Sequence, residues 1–222
     1  MSGKAYYRIT SLLKRIGLPY FDVVPDHGII PSGIKSTSKI LLGEYPPDLT
    51  PKILITTRKE KFQHPSPNPV AIEDLGDDPT IAKQKLLTLL FPSLREGLFV
   101  IGIDPGERTG VAAFMNRQEI ESSVLRSIEE TVQWASRLLD NAPQDKKIVK
   151  IGYGSPRIAS QIALRLGNQY NGDLKIELVD ERGTSTLNSR REKKETRDQI
   201  AAEIIAFRKG REYVRSAYSL PS

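Results

Sequence analysis

Asp104 is the first of three acidic positions whose placement could support chemistry. It ends the apolar run 98–103, which is typical of a strand buried on both faces. Pro105 and Gly106 follow and force a tight turn, which places the carboxylate at the sheet edge near backbone amides. A carboxylate at the end of a buried strand is costly unless a partner neutralises it. That partner is either the turn amides, in a purely structural role, or a bound cation.

Two further acidic positions have similar settings. Asp180 and Glu181 end the apolar run 174–179. Because strand side chains alternate, only one of the two can point inward, and we favour Glu181, with Asp180 structural. Asp198 precedes apolar residues by three, four and seven positions, so it lies on the sheet-facing side of a predicted helix over 198–209. The structural alternatives are acids that close a strand and an acid that complements a helix dipole.

The composition restricts which cation could join these acids. The chain of 222 residues has no cysteine and two histidines, which excludes thiolate catalysis, disulfides and cysteine-based zinc sites. Carboxylates favour hard divalent cations, so we predict Mg²⁺ or Mn²⁺ held by Asp104, Glu181 and Asp198. Two such ions about 4 Å apart would activate a water and stabilise the leaving oxygen of a phosphodiester.

A basic segment connects Glu181 to Asp198. It contains six basic and two acidic residues, and the whole chain has a formal charge of +6 and a pI of about 9.4. A basic domain of this kind indicates a nucleic-acid partner. We predict that the segment is a mobile loop that clamps phosphates, with a solvated charged loop as the structural alternative. Its basic residues are Arg182, Arg190, Arg191, Lys193, Lys194 and Arg197.

The proline distribution divides the chain in two. Eleven of the fifteen prolines lie at or before Pro92, and more regular periodic segments follow. This predicts a small α/β N-terminal domain over residues 1–95, of unknown role, and a second domain over residues 96–222. In the first domain the pattern predicts helices over 6–16 and 79–91, and strands over 21–24 and 53–56.

The second domain has a clearer pattern of alternating elements. A capping box at Ser127 and Glu130 opens a helix that runs to Leu139, and Ser155 with Pro156 opens another that ends at Gly167. The order predicts an α/β fold with a mixed sheet, namely a three-strand meander followed by two βα crossovers. The predicted strands are 98–103, 111–115, 120–125, 148–153 and 174–179.

Two stretches of the second domain resemble a known superfamily. IGIDPGERTGVAAF resembles the first strand and turn of the RNase H-like superfamily, especially its Holliday-junction resolvase branch (RuvC). VDERGTST followed by RDQIAAEIIAF resembles the neighbouring YqgF/RuvX branch, whose members are thought to trim precursor ribosomal RNA or to act like resolvases. The resemblance implies that Asp104, Glu181 and Asp198 are the metal-binding acids. Resolvases carry an acid at the end of the fourth strand, whereas this chain reads IGYGSP there, as the YqgF branch does.

These observations favour a metal-dependent nuclease acting on structured RNA or branched DNA. The alternative is a catalytically inactive RNase H-like protein that binds nucleic acid or the ribosome as a scaffold. An actin-like ATPase is a weaker third reading, because no second phosphate loop is visible. No apolar run approaches the roughly 18 residues of a membrane span. We therefore expect a cytoplasmic protein without a membrane partner, with a homodimer as one open possibility.

Overall fold

The computed structural model divides the chain into two compact units, Met1–Leu90 and Phe91–Ser222. The structure describes residues 3–18, 20–24, 28–31, 53–61, 69–171, 173–181 and 194–213. Within these ranges no helix has the length and apolar character that crossing a membrane would require.

The unit Met1–Leu90 is a small α/β arrangement built on short elements. In chain order these are α1 (Gly3–Ile16), β1 (Phe21–Val24), β2 (Gly28–Pro31), β3 (Leu54–Thr56), α2 (Arg58–Lys61), β4 (Pro69–Ala71), α3 (Ile72–Leu75) and α4 (Pro79–Leu90). β1 and β2 pair antiparallel, whereas β3 and β4 pair parallel. The predicted helices and strands of this unit are all present.

The first unit has its own apolar core. The buried face of α1, which includes Leu12 and Leu13, packs with Ile72, Leu75 and Leu86. The start of α4 is capped as the sequence predicts, because the Asp78 carboxylate accepts hydrogen bonds from the amides of residues 80 and 81 at 2.8 and 3.2 Å. Burial of this face accounts for the helical spacing of apolar residues in α1.

The unit Phe91–Ser222 is organised around a mixed sheet, which has six strands in the described part of the chain. The spatial order is β10-β9-β8-β5-β6-β7. The first three in sequence, β5, β6 and β7, form the predicted antiparallel meander, and β8 and β9 continue the sheet in parallel. The elements are a 3₁₀ turn (Pro92–Glu96), β5 (Leu98–Asp104), β6 (Thr109–Met115), β7 (Gln118–Leu125), α5 (Ile128–Asn141), β8 (Lys146–Gly152), α6 (Pro156–Gln169), β9 (Lys175–Val179), α7 (Lys194–Phe207) and β10 (Arg211–Glu212).

Helix α7 packs unusually closely on one face of this sheet. Val100, Ala112 and Phe114 of that face form a buried cluster with Ala202 and Ala206 of the helix. At Gly102, in the middle of β5, a side chain would overlap the backbone carbonyl of Ala202. The absence of a Cβ there lets the helix backbone touch the strand. Residues 99, 101 and 103 alternate to the opposite face, where they are fully buried.

Several boundaries differ from those predicted, and three of these differences have a clear physical cause. Helix α6 does not end at Gly167, because the Tyr170 amide bonds to the carbonyl of residue 166 at 3.1 Å and continues the helical pattern. Strand β7 starts two residues earlier than predicted, since Asn116 and Arg117 form a two-residue turn with positive φ. Helix α7 starts at Lys194, so Asp198 is its fifth residue rather than its first. The short edge strand β10 has no apolar pattern and was not predicted.

A pair of glycine substitutions tests the close packing of α7. We expect Gly102→Ala to destabilise the protein by about 1–3 kcal/mol, because the added methyl forces the helix away from β5. Gly167→Ala is the matched control. Its Cβ would meet Ile176 at an ordinary 3.9 Å, so it should stabilise α6 by about 0.4–1 kcal/mol. Urea unfolding measures both, and equal stability of the two variants would contradict the packing described.

Candidate functional site

The three predicted acids come from three different elements of the second unit. Asp104 is the last residue of β5, Glu181 lies two residues beyond the end of β9, and Asp198 lies in the second turn of α7. The ends of β5 and β9 share one edge of the sheet, since both strands run parallel to β8. The contacts of Asp198 and Glu181 then determine whether these two side chains reach the edge at which Asp104 lies.

Asp198 is held over the end of β5 by a close backbone contact. Gly110 is the register partner of Asp104 in the β5–β6 pair, so both residues present the same face of the sheet. A side chain at Gly110 would overlap the backbone carbonyl of Asp198. The turn of α7 that contains Asp198 thus rests directly on the strand pair that ends at Asp104.

Glu181 reaches the same region from the β9 side. Its carboxylate Oε1 accepts a hydrogen bond from the Gly154 amide at 2.7 Å. A side chain at Gly152 or Gly154 would overlap the carboxylate oxygens of Glu181, and a Cβ at Gly152 would also come within 2.7 Å of Ile205 in α7. Glu181 therefore occupies the α7 side of the sheet, in space that the two glycines leave open. Asp180, its neighbour, is exposed.

The prediction of one inward and one outward acid at this position is consistent with that arrangement. The Glu181 side chain is partly buried, whereas Asp180 is exposed and its backbone carbonyl accepts a hydrogen bond from Arg208 at 3.3 Å. Alternation beyond the end of β9 accounts for the difference.

Asp198 also has a basic partner within the site. Arg108, in the turn between β5 and β6, donates from Nη2 to Oδ2 of Asp198 at 3.0 Å. The two side chains are 26% and 20% exposed, so the ion pair is largely withdrawn from solvent. The turn that follows Asp104 thus supplies a positive charge as well as the tight reversal of the chain.

Asp104 lies within the electrostatic influence of the other two carboxylates. The pKa of Asp104 is raised to about 6, first by burial and then by the negative charges of Glu181 and Asp198. Like charges nearby disfavour ionisation, and so does desolvation. A carboxyl with a raised pKa at a sheet edge, beside two other acids, is typical of a functional site.

The donor chemistry of these residues fits a hard divalent cation, which prefers carboxylate oxygens. In the geometry of the described residues, no group of three or more histidine, cysteine, aspartate or glutamate side chains is gathered so that it could hold a metal ion. Glu181 is instead held by the Gly154 amide and Asp198 by Arg108. The structure therefore brings the three acids to the same sheet edge, where two of them also have partners within the protein.

The predicted phosphate clamp falls largely outside the described residues. Arg182, Arg190, Arg191 and Lys193 lie there, and the side chain of Lys194 does too, although its backbone begins α7. Arg197 is described and exposed, one residue before Asp198. Among the clamp residues whose side chains the structure describes, Arg197 is the one adjacent to a predicted acid in the sequence.

The sequence patterns predict no role for Arg108, and they identify the glycines of IGYGSP only as positions where resolvases carry an acid. The signal for Arg108 was its position four residues after Asp104 in the DPGERTG turn. The signal for the glycines was their number at the end of a buried strand, where glycine often marks a close approach.

Comparisons with known proteins add no identification. No protein-family model matches the chain, and no curated protein matches its sequence. The fold and the site define an α/β protein that has a mixed sheet with three acidic residues at one edge.

The raised pKa of Asp104 predicts a pH dependence of stability when divalent cations are removed with EDTA. The folded state holds the Asp104 proton more tightly than the unfolded chain, whose aspartates have a pKa near 3.9. The protonated carboxyl therefore favours the folded state fully below about pH 4, and this contribution is lost as the pH rises through about 6. Relative to Asp104→Asn, wild type should lose on the order of 2 kcal/mol between pH 4 and 8.

Urea unfolding at each pH measures this difference. Glu203→Gln, which changes an exposed acid on α7, is the control and should follow the wild-type curve. Parallel curves for wild type and Asp104→Asn across the whole range would show that Asp104 does not experience the field described.

A second variant tests the seat of Glu181. Gly154→Ala would place a methyl against Glu181 Oε2 and push the carboxylate away from Asp104. Since the charge of Glu181 contributes to the raised pKa of Asp104, that pKa should move down toward the ordinary aspartate range. Burial, the largest cause, should keep it above the ordinary value.

Carboxyl-detected NMR titration measures the pKa of Asp104 in each variant. Ser155→Ala is the neighbouring control, because the Ser155 side chain makes no capping hydrogen bond. An unchanged pKa in Gly154→Ala would mean that Glu181 does not sit where the contacts place it.

Proposed function

We propose that the second unit is an RNase H-like, metal-dependent nuclease that hydrolyses phosphodiester bonds in structured RNA or branched DNA. The observation that carries the proposal is the meeting of Asp104, Glu181 and Asp198, from three separate elements, on one face at one sheet edge. Carboxylates gathered at the carboxyl edge of parallel strands are placed where open α/β sheets bind ligands.

The strand order supports the fold assignment within this proposal. A meander of β5, β6 and β7, followed by β8 beside β5 and then β9, is the order that the resemblance to the RNase H-like superfamily implies. The acids also lie on the elements that the resemblance implies, namely the first strand, the segment after the last crossover strand and the final helix.

The residues of the chain divide the work as follows. Asp104, Glu181 and Asp198 would hold Mg²⁺ or Mn²⁺, and such an ion supplies an activated water and charge stabilisation for a phosphoryl oxygen. The Gly154 amide orients Glu181, and Arg108 orients Asp198. Arg197, which is exposed and precedes Asp198 on α7, would contact a phosphate, and a chain of formal charge +6 favours a polyanionic substrate.

One observation favours a second candidate, a nucleic-acid-binding scaffold without catalysis. Asp198 is neutralised by Arg108 within the protein, so this acid has a structural partner without any metal ion. In such a protein the acids would stabilise the fold, and the basic residues alone would contact the nucleic acid backbone. Metal-dependent turnover separates the two candidates.

The decisive experiment is hydrolysis of labelled structured RNA, single-stranded DNA, duplex DNA and a four-way junction, each with Mg²⁺, Mn²⁺ or EDTA. Wild type should cut at least one substrate only with a divalent cation. Asp104→Asn and Glu181→Gln should lower the rate by about 100-fold or more, because each removes a carboxylate that the reaction needs.

Asp180→Asn is the matched control, since it changes the adjacent but exposed acid and should keep the wild-type rate. Circular dichroism verifies that each variant is folded. Salt-sensitive binding of the substrates without cleavage would support the scaffold instead, and cleavage that persists in Asp104→Asn would refute the proposed centre.

A further inference from the structure

The ion pair between Arg108 and Asp198 is not predicted from the sequence, which indicates metal ions as the partners of Asp198. Arg108 lies in the same turn that carries Asp104, and it contacts Asp198 at 3.0 Å across ninety residues of sequence. For comparison, the surface pair Arg165–Glu129 has side chains that are 46% and 61% exposed, against 26% and 20% here. The Arg108 pair belongs to the interior of the site rather than to its rim.

Burial makes this pair costly to break. A charge withdrawn from water needs a partner of opposite sign, and removing one member leaves the other uncompensated. A short turn also fixes Arg108 more firmly than a long loop would, because its Cα position is set by the end of β5 and the start of β6. Arg108 is therefore a built-in part of the acidic centre and not a free phosphate contact.

The formal charges of these four side chains indicate how many divalent cations would neutralise them. Three carboxylates carry −3 and Arg108 carries +1, which leaves −2 on these four side chains. One divalent cation balances that charge, whereas two would leave a surplus of +2 before any substrate phosphate arrives. The Asp198 carboxylate, which a second cation would have to share, already has a guanidinium at 3.0 Å.

We propose that Arg108 is a positioning residue that acts as a resident counter-cation for Asp198, so that the free centre takes one divalent cation rather than two. This inference rests on the proposed function, because it concerns the same centre. It implies that Arg108 orients Asp198 whether or not substrate is present.

The test is titration of the full chain with Mn²⁺ in the absence of nucleic acid. Calorimetry measures the affinity and the number of bound ions, and electron paramagnetic resonance measures the free ion. Wild type should bind one Mn²⁺. Arg108→Gln should bind Mn²⁺ about tenfold more tightly or take up a second ion, because the site loses its own positive charge. Arg108→Lys, which keeps the charge, should resemble wild type.

Arg137→Gln is the matched control, since Arg137 pairs with Glu121 at 2.7 Å with similar burial in another part of the unit. If Arg108 were only structural, Arg108→Gln would lower stability, as Arg137→Gln does, but it would leave the affinity for Mn²⁺ unchanged. Two ions on the wild-type chain, or unchanged or weaker binding by Arg108→Gln, would overturn the inference. If Arg108→Gln does not fold, the wild-type stoichiometry decides the matter by itself.

The two levels of the proposal fail in different ways. If wild type binds no more Mn²⁺ than Asp104→Asn, the metal centre of the proposed function fails. If wild type binds Mn²⁺ through Asp104 but takes two ions, only the role of Arg108 fails and the nuclease proposal stands.

Discussion

The direct contact of helix α7 with the sheet is the constraint on which the rest of the site depends. Gly102 and Gly110 have no side chains to separate the strands from the helix, and the backbone carbonyls of Ala202 and Asp198 take that space. Side chains at these two positions would hold α7 farther from the sheet and so carry Asp198 away from Asp104. The small residues are thus a requirement of the site and not only of the core.

The close approach of three acids causes electrostatic repulsion, and the three carboxylates differ in the partners that offset it. Glu181 has a backbone amide at 2.7 Å and Asp198 has a guanidinium at 3.0 Å. Asp104 instead has its proton affinity raised, first by burial and then by the charges of its two neighbours. Since one pKa unit corresponds to about 1.4 kcal/mol, the fold tolerates a stored electrostatic cost at Asp104. A cost of this kind is what a bound cation would relieve.

The sequence predicted the sheet well and the site incompletely. Continuous apolar runs and turn residues indicated β5 to β9, and the helical spacing after Asp198 correctly placed that acid on the sheet-facing side of α7. The start of α7 could not be predicted, because residues 194–197 are charged or polar and carry no apolar period. Arg108 was missed for a similar reason. Its role depends on a partner ninety residues away, and no local pattern encodes that contact.

The end of β8, the fourth strand of the second unit, lacks the acid that resolvases carry there, and the structure gives a physical reason for its absence. An acid at the end of β8 would project from Gly152 or Gly154, yet the Glu181 carboxylate already fills the space beside both glycines. An acidic side chain there would collide with Glu181 and add a fourth negative charge to a site that already raises the pKa of Asp104. Glycine at positions 152 and 154 and glutamate at position 181 therefore depend on each other, because the glutamate carboxylate needs the space that the glycines leave open. The carboxylate enters the centre from β9 because β8 leaves room for it.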